Sequence, residues 1–369
     1  MKQNISITAY ITTLIIATCL IIVGRVVVSE SGTEHTETHI FRGVVTEVID
    51  NTLDEEWDIQ TLNAVVTLAD ETTVMANQSA MGNIIEYTRF AEVGDRVIVE
   101  YFDNTGQFSI VSYQRIWQIA IIISIIALAI LIYGRKKGLN GLISLVFTCL
   151  SIFLVFIPAV LNGYNIYLFA ILICLYSTGV TLILVLGTNM KSYAAILGTL
   201  GSLLFSGLVM LLVNSFLGLT GLIDGQTLSI LVMGIDIDLS GLLFSSILIG
   251  SVGAVMDIAT SIASALWEIE RVRKQTFREH IISGFNIGQD ALGTMLNTLI
   301  LAYIGGSLST VIFFAFTNNS TFRLLNEEVI ISEFLRGIIG SLGIFLAIPV
   351  TTILCAWLFS RERISEFKL

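Results

Sequence analysis

The chain alternates between two hydrophobic rhythms. Residues 6–28 (SITAYITTLIIATCLIIVGRVVV) are apolar almost without interruption. Residues 38–113 change to short runs in which apolar and polar positions alternate. From 116 onward long apolar stretches return, at about 116–133, 139–161, 165–187, 193–216, 240–264, 289–315 and 335–359. Each is near the ~20 residues that a helix needs to cross a bilayer. The alternating runs GVVTEVID, LNAVVTLAD, ETTVMANQ, DRVIVEYF and QFSIVSYQ have the period of half-buried strands and are separated by turn residues. Five short strands in so little chain predict a small barrel, OB-like in character.

The expected fold class is therefore an all-α polytopic membrane bundle of about eight transmembrane helices. A small extracytoplasmic β-barrel domain lies between the first two. The domain boundaries follow: 1–28 an anchor, 29–114 the acidic β domain, and 115–369 a seven-helix domain with a core hairpin at 240–315. The first run is long for a signal peptide and no A-x-A site follows it, so it is expected to stay as an anchor.

Composition agrees with this pattern and excludes several functions. Of 369 residues, 54% are apolar and 13% charged, and the mean hydropathy is +0.85. That is a membrane composition. The net charge of −10 and the lack of a basic patch exclude nucleic-acid binding. The acidity is local: residues 29–113 hold sixteen Asp or Glu against three Arg. The four cysteines, Cys19, Cys149, Cys174 and Cys355, all lie in apolar runs and read as small core residues, not a disulfide framework. No Walker motif, H-E-x-x-H or Ser/His/Asp arrangement is present, so neither a cofactor nor a soluble enzyme chemistry is expected. His35 and His39 with Glu34 and Glu37 are the nearest approach to a metal set; without a fourth well-placed ligand they read as a solvated linker.

Basic residues set the expected orientation. Arg135-Lys136-Lys137, Lys191, the cluster Arg271, Arg273, Lys274 and Arg278, and the tail Arg361, Arg363 and Lys368 all fall on one side of an eight-span layout. The β domain and the loops with Asp224, Asp236 and Asp238 fall on the other. The positive-inside rule then puts both termini in the cytoplasm and 29–114 outside. Residues 223–239 are too short and polar to span, and read as re-entrant or interfacial. Pro349 is expected to kink the last span.

Candidate chemistry concentrates in residues 250–306. On the first helix of the hairpin Gly250, Gly253, Asp257, Ser261, Ser264 and Glu268 recur in steps of three and four, which puts them on one face. On the second, Asn286, Asp290, Gly293, Thr294 and Asn297 do the same. Gly250, Gly253, Ser264 and Gly293 suit close helix packing. A carboxyl in the middle of a span marks a function. Asp257 with Asp290, Asn297, Ser261 and Thr294 is the expected proton- or cation-coupling set. Asp290, placed near the start of its span, has a competing role as a helix N-terminal acid. Glu268 with Arg271 reads as an interfacial pair that ends the first helix. Two neighbouring aspartates also fit intramembrane aspartyl proteolysis, or a scaffold in which acids only specify helix pairing.

The segments GSVGAVMDIATSIASALWE and GFNIGQDALGTMLNTLILAYIGG resemble those of the YibE/F family of bacterial integral membrane proteins. The resemblance implies the architecture more than an activity. The hairpin is also similar to the central helix pair of the SecD/SecF proteins and the wider RND transporters. The matching residues are Gly253 and Asp257, then Glu268 to Arg271, then Gly284-Phe285 and Asn297-Thr298-Leu299. That likeness implies a proton pathway through Asp257. The departures are two extra spans, a different outer domain, Leu296 in place of an acid, and an added Asp290. The partners expected are the lipid bilayer and either a second membrane protein or a homo-oligomer.

Overall fold

The computed structural model describes residues 7–29, 39–54, 56–103, 105–223, 225–317 and 320–366. Glu34, His35, Glu37 and Asp224 lie outside the described residues, so the linker metal reading and that loop acid have no structural counterpart here. The chain divides into two compact units, Glu34–Tyr133 and the remainder (1–33 with 134–369).

In the smaller unit five strands form: β1 (His39–Asp54), β2 (Ile59–Leu68), β3 (Thr73–Met81), β4 (Arg96–Phe102) and β5 (Gln107–Tyr113). Alternation sends Leu62, Ala64, Val66 and Leu68 of β2 inward, onto Val45, Ala76, Val97, Val99 and Ile110. The long β1 pairs with β4 through residues 39–44 and with β2 through residues 43–54. It does so by coiling at bulges near Val45/Glu47 and Val48/Asp50. A parallel β3–β5 pairing completes the order β1-β2-β3-β5-β4, and the sheet closes on itself.

One titration follows from this unit. Tyr113 Oη donates to the Arg89 carbonyl at 2.7 Å. Burial raises its pKa above the ordinary 10.0, with a neighbouring Gln78 and Arg89 opposing. The folded state thus favours the protonated phenol. That contribution is complete below pH 10.0 and is lost as pH rises through the raised value. The difference between the phenolate titrations of the native chain and Tyr113→Phe is expected to centre above 10.0. A difference centred at or below 10.0 contradicts the reading.

The larger unit is helical. Its segments are α1 (Ile7–Ser29), α2 (Ile116–Ser151, whose first part belongs to the other unit), α3 (Ile157–Leu161), α4 (Ile166–Leu186), α5 (Met190–Leu217), α6 (Gly225–Val232), α7 (Leu239–Val272), α8 (Phe277–Gly306), α9 (Leu308–Thr317), α10 (Thr321–Leu324) and α11 (Glu328–Glu366). Among the described residues five helical stretches are long and apolar enough to cross a membrane, or six if the bent α8–α9 pair, angled by 59°, is one span; Ile11–Val26 is a shorter apolar helix. The runs 116–133 and 139–161 fall in one apolar stretch, Ile116–Leu161, made of two helices that meet at a kink, where Arg135 has φ 47° and ψ −130°. Short helix α6 occupies the region expected not to span, and α11 stays helical through Pro349.

Helix α11 is the element on which the bundle packs, because glycines let neighbouring helices approach it closely. A Cβ at Gly343 would stand 2.9 Å from Val255 of α7, and one at Gly340 would stand 2.9 Å from Leu299 of α8. Gly284 and Gly288 of α8 receive Thr352 and Ile348, and Gly198 of α5 receives Thr351. This is the small-residue packing on which membrane helices depend, since lipid offers no hydrophobic drive between them. At the N-terminus of α11 the Glu328 carboxylate accepts the backbone N–H groups of Thr220 and Gly221, both at 2.7 Å. Gly221 has φ 85° and lies against the backbone of Leu239, a position only glycine fills without strain.

Candidate functional site

Helices α7 and α8 form the hairpin that carries the candidate residues. Asp238 starts α7, its carboxylate accepting Gly241 N–H at 3.0 Å. Thr276 and Glu279 form a reciprocal capping box that starts α8. The sequence placed this second span at 289–315. Its helix begins twelve residues earlier, at Phe277, and ends in a break at Ser307. Asp290 is therefore a mid-helix residue, and its reading as a helix-start acid is corrected.

Helix length fixes the depth of both acids. Helix α7 has 34 residues and α8 has 30. A hydrocarbon core takes about 20 residues of helix. Every window of that length within α7 contains Asp257, and every one within α8 contains Asp290. Asp257 lies fifteen residues before the end of α7, and Asp290 thirteen after the start of α8. At 1.5 Å per residue these are about 22 and 20 Å from the connecting turn, so the two carboxyls share a depth.

The polar members of the two stripes are not hydrogen-bonded to each other among the described residues. Val255 and Ser251 of α7 point to α11, as do Gly284, Gly288 and Leu299 of α8. The remaining contact between the two helices includes Gly250 of α7 against Tyr303 of α8, where a Cβ would meet the Tyr303 hydroxyl at 2.8 Å. The polar stripes are left on the outer surface: Gly253, Asp257 and Ser261 are exposed, as are Asn286, Asp290, Gly293, Thr294 and Asn297. Ser264 is half-buried. Among the described residues neither Asp257 nor Asp290 has a hydrogen bond or an ion pair. Thr294 donates only to its own helix, at the Ala291 carbonyl. The Glu268–Arg271 pair forms, at 3.7 Å on the exposed surface.

Sequence reasoning missed a second constellation at the turn. His280 is fully buried and its Nε2 lies 3.0 Å from Glu270 Oε2. The same oxygen accepts Gln275 N–H at 2.9 Å, so with Nε2 protonated the ring donates to it as well. Lys274 Nζ stands 4.0 Å from the other carboxylate oxygen. The Phe359 ring of α11 packs edge-on against both His280 and Trp267, with centroids 5.7 and 5.2 Å away. The two partners are ten residues apart, across a turn, at no helical spacing. Only their place beside the capping box marked them.

A bundle of helices long and apolar enough to cross a bilayer, packed on glycines, with two acids in mid-helix, defines an integral membrane protein. The model of the YibE/F-like proteins matches residues 122–361. The chain belongs to the YibE/F family. Comparison with curated proteins and with solved structures returns no match. The likeness to the SecD/SecF proteins draws no support from these comparisons.

Proposed function

We propose that this chain is a proton- or cation-coupled transporter, or the accessory of an export machine, in which Asp257 is the coupling carboxyl. One observation carries the reading: Asp257 stays within the hydrocarbon in every register of α7, yet among the described residues it has no hydrogen-bond or ion-pair partner. An ionisable group in that position is costly, and is retained where it exchanges a proton or a cation. Asp290 at the same depth, with Ser261, Thr294 and Asn297, which are also exposed, supplies the remaining polar groups. In this reading eight spans cross a bacterial plasma membrane with both termini in the cytoplasm, as the basic clusters require. The five-strand unit is an OB-like domain on the outer side.

The test is Asp257→Asn at normal membrane levels, assayed for proton uptake with candidate solutes in proteoliposomes. Coupled uptake is expected to fall by at least about tenfold, the scale of losing one positioned proton-transfer group. Full activity overturns the proposal. A scaffold gives a different result, altered complex formation with no flux in either protein. Intramembrane proteolysis requires that Asp257→Asn and Asp290→Asn each abolish cleavage of a membrane-segment substrate.

A further inference from the structure

Helix α11 carries an ion pair that the coupling site does not use. Arg336 Nη1 donates to Glu333 Oε1 at 2.8 Å, and only 22% and 17% of the two side chains are exposed. Both residues lie in a stretch long and apolar enough to cross a membrane, where ionisable groups are costly and mark a function. The rest of the guanidinium is not held in the same way. Arg336 Nε is buried and has no hydrogen-bond partner among the described residues. Tyr303 Oη of α8 and Asn214 Oδ1 of α5 are also buried without a partner.

Helix contacts put these three atoms in one layer. The Tyr303 ring stands 3.6 Å from where a Cβ of Gly340 would lie, and Arg336 is one turn before Gly340 on the same face of α11. Ser206 of α5 stands 3.5 Å from the Cβ position of Gly343, and Gly198 meets Thr351, so α5 and α11 run antiparallel. From the Ser206–Gly343 contact Asn214 lies eight residues along α5 and Arg336 seven back along α11, about 12 and 10 Å in one direction. Gly250 of α7 leaves room beside the phenol, since its Cβ would stand 2.8 Å from Tyr303 Oη. Buried polar groups are almost always paired, so three in one layer, from three helices, call for a group that joins them. Nε–H can only donate, the phenol donates readily, and the Asn214 carboxamide presents a donor when it is turned over. With Glu333 on Nη1, the Nε side of Arg336 keeps the planar edge that matches two oxygens of one carboxylate or phosphate. A cation is repelled by the same guanidinium.

We propose that Arg336 and Tyr303, with Asn214, bind an oxyanion, a carboxylate or phosphate group, between α5, α8 and α11. Glu333 neutralises Arg336 in the free chain and repels the arriving anion, so it holds the affinity down. The proposal does not rest on coupled transport. A chain that binds the anion yet moves nothing keeps this site and loses the transport reading.

The test titrates the full-length chain in alkyl maltoside, a detergent without phosphate, with inorganic phosphate and with acetate. The unfolding midpoint is followed against sodium chloride at equal ionic strength. A further arm adds phosphatidic acid in mixed micelles, against diacylglycerol. A saturable rise in midpoint with phosphate or acetate is expected; a rise with phosphatidic acid alone gives the same site to a lipid headgroup. Arg336→Gln and Tyr303→Phe are expected to weaken binding by about tenfold or more, the loss of one charge-assisted hydrogen bond. Glu333→Gln is expected to tighten it, a direction that losing a merely structural contact does not give. Glu327→Gln, in the exposed pair with Arg323 near the same end of α11, is expected to leave binding unchanged. If Arg336→Gln does not fold, Tyr303→Phe and Glu333→Gln decide. No rise beyond the chloride and diacylglycerol controls in any arm overturns the proposal. So does a rise that neither Tyr303→Phe nor Glu333→Gln moves in the stated direction.

Discussion

Glu270→Ala is expected to cost about 1–3 kcal/mol of stability, the range for leaving a buried donor without its acceptor. The carboxylate holds two donors on one oxygen, the His280 ring at 3.0 Å and the Gln275 N–H at 2.9 Å. Alanine leaves the buried imidazole facing a cavity and removes the acceptor that shapes the turn. Glu270→Gln keeps an acceptor oxygen in place and is expected to cost less than half as much. The double variant Glu270→Ala/His280→Ala is expected to lose less than the sum of the single losses, because the pair disappears once. Thermal unfolding in detergent of the native chain, Glu270→Ala, Glu270→Gln, His280→Ala and the double variant measures these losses. Proteolysis within residues 273–276 reports the turn directly. Equal losses for Glu270→Ala and Glu270→Gln, or strict additivity, would show that the contact is incidental.

Gly198→Leu is the second large effect. A Cβ at this position falls on the Thr351 hydroxyl and stands 2.9 Å from Thr351 Cβ and 3.1 Å from its Cα. The last of these is backbone, and α11 cannot move aside freely, because α7 and α8 hold it through Gly343, Gly340, Gly284 and Gly288. Overpacking a core of this density costs about 1–3 kcal/mol, and more where backbone must shift. Leucine is expected at or above the top of that range, and alanine near its lower end. Gly201→Ala is a built-in contrast, since its Cβ meets only the end of Val350 at 3.2 Å. Thr351→Gly is expected to restore most of what Gly198→Ala loses. Midpoints of unfolding in detergent decide it, and a Gly198→Leu protein as stable as the native chain would falsify the close approach of α5 and α11.

What the sequence made legible was governed by periodicity. The five strands and the apolar helices were visible because their hydrophobic patterns differ in period and length. The start of α8 was hidden. Its first turns, FREHIISGFNIGQ, are too polar to read as a span, although Thr276 and Glu279 carried a capping signal. That misplacement made Asp290 look shallow. The small-residue stripes were correctly placed on single faces, but a stripe does not say which neighbour it meets. Glycines on the other sides of the hairpin, Gly284 and Gly288, proved to face α11. The stripes themselves lie outward. The His280–Glu270 contact was out of reach for a simpler reason, since a turn of a few residues sets it and no helical spacing connects the two.

The closed sheet of the smaller unit has its own consequence for recognition. Because β1 hydrogen-bonds to β4 through residues 39–44 and to β2 through residues 43–54, each part of the strand has at least one edge already taken. A peptide that docks by extending the sheet is therefore confined to the part of β1 past Val44 and to the short β3–β5 seam at Ala76 and Asn77. The rest of what this domain recognises is read through side chains and loops, under the acidic charge of residues 29–113, sixteen Asp or Glu against three Arg, which sets the sign of what approaches. Selectivity in this domain is a matter of charge and contour, with main-chain pairing confined to short seams by the fold.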